Sequence, residues 1–218
     1  MSENANQTLV TALLRRAGQT YADEAGIRLR DQPAALYQLL VLATLLSARI
    51  SAGVAVSAAR ELFGAGFTTP EKMRRASWQD RVDALGRGHY RRYDERTATM
   101  LGDGADLVLG RYRGDLRRLA EASKQDRDRT RELLQEVPGI GPVGADIFLR
   151  EAQAVWAWLR PFTDRRVVEG ARRLGLPTDP AQLADLADGS DLARLAAALV
   201  RASLDKKLVT AVRAEADA

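Results

Sequence analysis

Residues 126–149 read DRDRTRELLQEVPGIGPVGADIFL, and this stretch decides the fold. A charged amphipathic pattern ends at Val137, the turn Pro138-Gly139-Ile140-Gly141-Pro142 follows, and a second helical pattern opens at Val143. Proline does not continue a helix interior, and glycine adopts the backbone conformations a tight turn demands, so the spacing predicts two helices joined by a hairpin. Two glycines one residue apart expose backbone N–H groups at the start of the second helix, where the helix dipole points the same way. That arrangement suits a phosphate. Ile140, between the glycines, is expected to anchor the turn in the core. No charged side chain lies in the turn, so phosphate contact there would be independent of nucleotide sequence.

The same residues also satisfy another pattern. Gly139-x-Gly141-x-x-Gly144, with Asp164 following Gly144 by 20 residues, has the spacing of the dinucleotide-binding fingerprint. That fingerprint needs a strand immediately before its first glycine and a βαβ unit around it. Here a helical pattern, Thr130-Arg-Glu-Leu-Leu-Gln-Glu, precedes the turn and Pro138 abuts Gly139, so the nucleotide-fold reading is set aside.

Outward from the hairpin, almost every segment reads as helix. Residues 33–48 (PAALYQLLVLATLLSA) are nearly continuously apolar and predict a helix buried on most faces. Residues 51–63 follow after a short break, and Thr69 with Pro70 fit the N-cap and first position of the next helix. Further helices are predicted at 78–85, 91–109, 115–123, 126–136, 142–155, 165–174, 180–187 and 191–204, each bounded by Gly, Pro, Ser or Asp. No stretch alternates apolar and polar residues over six positions. The fold class is therefore all-α, a globular array of roughly ten short helices. The first six or so residues and Ala214-Glu-Ala-Asp-Ala are expected to be loose ends.

Composition narrows the chemistry. The chain has 218 residues, no Cys and one His, which excludes disulfides, thiolate zinc sites, iron–sulfur clusters, Cys nucleophiles and two-His metal motifs. Aromatics at 6% argue against a β-sandwich or barrel. Lys and Arg number 33 against 29 Asp and Glu, a net charge of +4, and only Lys72, Lys124, Lys206 and Lys207 are lysines. Arginine is favoured where planar contact with phosphate matters, although Arg-biased codon usage would produce the same composition. The balance permits a nucleic-acid partner. No apolar run reaches membrane-spanning length and the N-terminus lacks the pattern of a signal peptide, so a cytoplasmic protein without a membrane partner is the expectation.

The pattern L-L-x-x-V-P-G-I-G-x-x-x-A resembles the helix-hairpin-helix of the endonuclease III-like DNA glycosylase superfamily. Leu45-Leu46-Ser47-Ala48-Arg49 resembles that family's L-L-S-A-Q segment, and Leu85-Gly86-Arg87-Gly88-His89-Tyr90 lies where the family has a glycine-containing loop before a long helix. Phe162-Thr163-Asp164-Arg165-Arg166-Val167, leading to Leu174-Gly175-Leu176, resembles its V-D-T-H segment. The resemblance covers residues 33–176 and implies two helical domains with a DNA-binding cleft between them. Residues 32–149 would form a multi-helix barrel ending in the hairpin; residues 1–31 with 150–218 would form a second domain contributing the catalytic aspartate.

By that resemblance the hairpin, Pro138 to Gly141 with Val143 and Gly144, grips the DNA backbone, and Asp164 promotes cleavage of the N-glycosidic bond of a flipped base. The chemistry is coherent, because base departure leaves positive charge on the sugar, which a nearby carboxylate stabilises while orienting water. Asp164 also reads as the N-cap of the helix at 165–174, and one side chain can serve both ends. Bifunctional relatives carry a lysine at the position of Val143, so a monofunctional glycosylase without lyase activity is implied. The iron–sulfur loop of many relatives is absent and no cofactor is required. Relatives often hold a monovalent cation on hairpin carbonyls, here those of Val137, Gly139 and Gly141.

Arg49 replaces the relatives' glutamine and reads either as a donor to an orphan base or as a helix-end phosphate contact. The absence of an acid from residues 39–48 disfavours adenine excision. Arg87-Gly-His-Tyr-Arg-Arg-Tyr-Asp-Glu-Arg96 sets four arginines beside two tyrosines; the resemblance puts Arg87, His89, Tyr90 and Arg91 on the DNA face, where a solvated helix start is the alternative. Trp156 and Trp158 either stack a flipped base or belong to the core, and Arg111, Arg113, Arg117 and Arg118 read as a solvated face. The expected function is a monomeric base-excision glycosylase acting on damaged or mismatched double-stranded DNA. The rivals are a non-catalytic damage-binding protein on the same scaffold, or an abasic-site lyase with an amine elsewhere, such as Lys206.

Overall fold

Helices form wherever a capping side chain precedes an apolar-periodic run. Ser51 Oγ accepts the Val54 N–H at 3.4 Å, Thr69 Oγ1 accepts the Lys72 N–H at 3.3 Å ahead of Pro70, and Ser77 and Asp80 make a reciprocal capping box. Asp126, Asp164 and Asp179 cap three more helices. A computed structural model describes residues 3–189 and 191–216, which form fourteen α-helices and one 3-10 turn. In chain order these are α1 (Glu3–Ala17), α2 (Tyr21–Glu24), α3 (Pro33–Leu46), α4 (Ala52–Gly64), α5 (Pro70–Arg75), α6 (Trp78–Arg87) and α7 (Asp94–Tyr112). Then follow α8 (Arg117–Ala122), α9 (Arg127–Gln135), α10 (Pro142–Ala152), the 3-10 turn Ala157–Leu159, α11 (Arg165–Leu174), α12 (Pro180–Ala184), α13 (Leu192–Leu204) and α14 (Lys206–Ala216). No strand occurs among the described residues, so the chain is all-α. The absence of a strand before Gly139 likewise removes the dinucleotide-binding reading.

The chain divides into two compact units, Ala22–Leu149 and Met1–Tyr21 with Arg150–Ala218. In the central unit α3 is the core element: Leu36, Leu39, Leu42 and Leu45 are fully buried, as its unbroken apolar run requires. Helix α3 packs on α4, α4 on α6, and α5 and α6 on α7. A buried arginine joins the last three. Arg81 Nε donates to the Ala98 carbonyl at 2.8 Å, and Nη1 donates to those of Met73 and Ala76 at 3.0 and 2.8 Å. These bonds offset the desolvation of its charge.

In the terminal unit α13 packs on α11, α1 and α14. Helices α11 and α13 approach so closely at Gly170 that an added β-carbon would lie 1.9 Å from the Leu199 carbonyl oxygen. Arg201 and Arg194 reach from α13 to the carbonyls that end α1: Arg201 Nη1 donates to Ala17 O (3.1 Å) and Gln19 O (2.6 Å), and Arg194 Nε to Gly18 O (3.1 Å). The Arg201 guanidinium also sits 4.3 Å from the Tyr21 ring centre.

Two expectations are corrected. Residues 3–6 and 214–216, expected to be loose, are helical, with α1 beginning at Glu3 and α14 running to Ala216, because Arg15 and Arg16 pair with Glu215 and Val212 is buried; residues 1–2 and 217–218 lie outside the described residues. Helix α10 stops at Ala152 rather than at 155. The chain tightens there into Val155 N–H to Ala152 O and Ala154 N–H to Glu151 O bonds, while Arg160 takes the carbonyls of Gln153 and Ala154, each at 2.6 Å. No helix among the described residues is long and apolar enough to cross a membrane.

Two glycine substitutions test this packing by thermal unfolding. Gly170→Ala should cost about 2 kcal/mol or more, because the methyl group must displace backbone. Gly110→Ala, in α7 with open space around it, should instead stabilise by up to about 1 kcal/mol.

Candidate nucleic-acid interface

The hairpin is built by α9, the turn at 136–141 and α10. Arg131 on α9 holds Asp146 on α10 through two bonds, Nε to Oδ1 at 2.6 Å and Nη2 to Oδ2 at 3.2 Å, so the two helices are clamped side to side. The bonded carboxylate holds the Arg131 guanidinium above its ordinary pKa. Glu136, at the end of α9, pairs with Arg111 of α7. Within the turn the Ile140 N–H bonds the Val137 carbonyl at 2.9 Å, and Ile140 is 3% exposed, the anchor that its position between two glycines implies.

Each glycine has its own reason. Gly139 has φ +90°, a left-handed conformation, and a β-carbon there would fall 2.9 Å from Thr44 Cγ2. Gly144 is buried, 3.3 Å from Ile140 Cδ1 and 3.4 Å from Ser47 Cβ measured from an added β-carbon, so α10 lies tight against the end of α3. Gly141 has open space, and with Pro142 and Val143 it forms the exposed face of the turn; Val143 is 61% exposed. Helix geometry leaves the N–H groups of Val143 and Gly144 without intrahelical partners there. The carbonyls of Val137 and Gly141 each accept one N–H, from Ile140 and Ala145, and each keeps a second lone pair.

Beside the turn is a concavity of about 610 Å3, lined by the hairpin residues Val137 to Gly141 together with Arg49, Tyr90, Tyr93, Arg96 and Met100. The fold thus gathers Arg49, Tyr90 and the hairpin from three distant stretches of chain. Arg49 is exposed just beyond α3. Tyr90 is 1% exposed, its hydroxyl accepts a bond from Thr97 Oγ1 at 3.4 Å, and burial raises its pKa. Its ring therefore belongs to the core and is not free to insert between bases. The half-buried aromatic of this stretch is Tyr93, with the Arg92 guanidinium 5.2 Å from its ring centre.

The loop before α7 is placed by Gly88, where a β-carbon would lie 2.3 Å from Ala58 Cα on α4. That close approach lifts the next residue, exposed His89, into a left-handed conformation at φ +64°. Arg87 is tied to Glu61 at 3.0 Å, and Arg91 is exposed.

Asp164, Trp156 and Trp158 belong to the terminal unit. Asp164 caps α11: its Oδ1 accepts the N–H groups of Arg166 and Val167 at 2.8 and 3.0 Å. Its Oδ2 pairs with Arg150 Nη1, and the two side chains are 7% and 4% exposed. Gln153 fixes the loop leading to Asp164, since its Oε1 accepts the Phe162 N–H at 3.0 Å and its Nε2 donates to the carbonyls of Phe162 (3.2 Å) and Arg150 (2.9 Å). The tryptophans stack on each other, ring centres 5.4 Å apart, and Trp156 is only 4% exposed, so its contact is with Trp158 and the core.

Arg150 is the residue that sequence reasoning missed. Its signal was a charged residue one turn after Ile147 on the buried face of α10, a position that a solvated arginine would not occupy. Among the described residues, no group of three or more His, Asp or Glu side chains could hold a metal ion.

The hairpin glycines make a paired test by thermal unfolding and phosphate-backbone binding. Gly139→Ala should lose about 1–3 kcal/mol and most affinity for duplex DNA, through strain and the Thr44 clash. Gly141→Ala should leave stability within about 0.5 kcal/mol of wild type.

No protein-family model matches the sequence, and no curated protein matches it. Among solved structures, a trapped covalent intermediate of endonuclease III with DNA, an estranged-adenine complex, is 16% identical. It covers 89% of this chain and 84% of its own, with a TM-score of 0.49. A non-covalent endonuclease III–DNA complex is 17% identical, covering 79% of this chain and 73% of its own, with a TM-score of 0.48. The likeness is one of helical fold.

Proposed function

We propose that the chain is a DNA repair glycosylase that flips a damaged or mismatched base out of duplex DNA and hydrolyses its N-glycosidic bond, leaving the abasic site uncut. The observation that carries this reading is the clamped hairpin, whose turn lines a concavity bearing Arg49 and Arg96 and whose exposed Gly141, Pro142 and Val143 lead into α10. Backbone amides at a helix start bind phosphate without reading sequence, and the flanking guanidinium groups add charge-assisted contacts to the strand. His89, exposed and in a left-handed conformation in the loop before α7, would enter the base stack in this reading. A monovalent cation on the carbonyls of Val137, Gly139 and Gly141 would stiffen the turn against the phosphate.

In the chemical step the bond to the base breaks and its electron pair leaves with the base, which takes up a proton. The sugar acquires cationic character, and water supplies the oxygen that completes the hydrolysis. Asp164 stabilises that cation and orients the water. Val143 has no amine, so the sugar is not captured as a Schiff base at that position. A second reading, a damage-binding protein without catalysis, is favoured by one feature: both Asp164 oxygens already have partners, in the α11 amides and Arg150.

The test incubates wild type and Asp164→Asn with duplexes carrying uracil, thymine opposite guanine, alkylated purines, oxidised pyrimidines or 8-oxoguanine, followed by hot alkali. The expected result is alkali-dependent strand cleavage on at least one duplex, reduced about 100-fold or more in Asp164→Asn. Cleavage without alkali, trapped by borohydride, would instead mean a lyase. Binding with no base release would mean the non-catalytic protein.

A further inference from the structure

We infer that Arg150 is the positioning residue for the Asp164 carboxylate, an assignment that rests on Asp164 acting in base excision. Capping fixes one end of the carboxylate only, because both α11 amides bond Oδ1. Among the described residues, Oδ2 takes its bond from the Arg150 guanidinium, which therefore sets where the second carboxylate oxygen lies.

The two buried arginines of the chain make the contrast. Arg81 has the marks of a structural side chain, with Nε and Nη1 satisfied by three backbone carbonyls and no carboxylate involved. Arg150 is 3% exposed and turns its fork to a single acidic oxygen, while its own Nε–H is buried without a hydrogen-bond partner. An orphaned buried donor is a stability cost, and a buried ion pair is no more stable than apolar side chains of the same volume. An arrangement that accepts both costs to aim one carboxylate oxygen is explained by what that oxygen does. The same α10 backbone supports the placement: Gln153 Nε2 bonds the Arg150 carbonyl at 2.9 Å and the Phe162 carbonyl two residues before Asp164 at 3.2 Å, tying the two ends of the pair to one amide group.

The test uses the duplex that wild type processes best, with single-turnover rates at saturating protein and duplex affinity measured separately. Arg150→Met is expected to slow base release about 30-fold or more with affinity within about threefold of wild type. Arg150→Lys, which keeps a cation but not the fork, should fall between them, slower than wild type by more than about threefold. In the Asp164→Asn background, Arg150→Met should slow release no further, because a residue acting through Asp164 has nothing left to position.

An independent second loss in the double variant, a parallel loss of affinity and rate, or an unimpaired Arg150→Lys would overturn the assignment. If Arg150→Met does not fold, Arg150→Lys alone and combined with Asp164→Asn decides the matter by the same two criteria. Wild-type protein that releases no base from any duplex overturns the glycosylase reading and this assignment together. Normal wild-type turnover with an unimpaired Arg150 variant overturns this assignment alone.

Discussion

A turn of a few residues can hold two antiparallel helices in a fixed relation only if something inside it is buried, and here that something is Ile140. Burying a branched side chain at the tip of a turn forces backbone against the neighbouring helices, which is why the residue before it, Gly139, carries no β-carbon, whereas Gly141 after it has open space. At Gly139 the backbone enters the left-handed region and passes within touching distance of Thr44. The Arg131–Asp146 fork then sets the spacing of α9 and α10 further along. Gly141, Pro142 and Val143 stay exposed as a consequence, and the amides of the α10 start are left facing outward.

Buried and half-buried arginines do much of the remaining organising. Arg81 ties three helices of the central unit, and Arg194 and Arg201 close the end of α1 against α13. Arg160 takes the carbonyls of Gln153 and Ala154, the two residues just beyond the end of α10. Arg81, Arg160 and Arg201 each reach two or more backbone oxygens, which a lysine ammonium with a single charged centre does with less geometric definition. An Arg-rich composition that reads as a nucleic-acid footprint is therefore in part a set of internal braces. Arg49 and Arg96, exposed beside the hairpin, are not among these braces.

The hairpin was legible in the sequence because its signal is local: proline, glycine, an apolar residue and glycine in a row determine a turn whatever surrounds them. The caps at Thr69 and Asp164 were legible for the same reason. The helical chain ends were not, because α14 is held by Arg15 and Arg16 pairing with Glu215, residues about two hundred positions apart. The roles of single aromatic residues were equally hidden. Tyr90 and Tyr93 lie three residues apart and both line the concavity, yet Tyr90 is buried in the core and Tyr93 is half-buried.

By itself, then, the amino-acid sequence determined an all-α chain, the helix-hairpin-helix with its buried isoleucine, and the exclusion of thiolate, cluster and two-histidine chemistry. These follow from residue type and near-neighbour spacing, which need no knowledge of distant contacts. Only the tertiary structure decided that Arg49, Arg96 and the hairpin share one concavity, and that Trp156 stacks on Trp158. It alone placed Arg150 on Asp164. Which side chains meet across a packed core depends on helix directions and close approaches such as Gly88 on Ala58 and Gly170 on Leu199, and no periodicity in the chain encodes those.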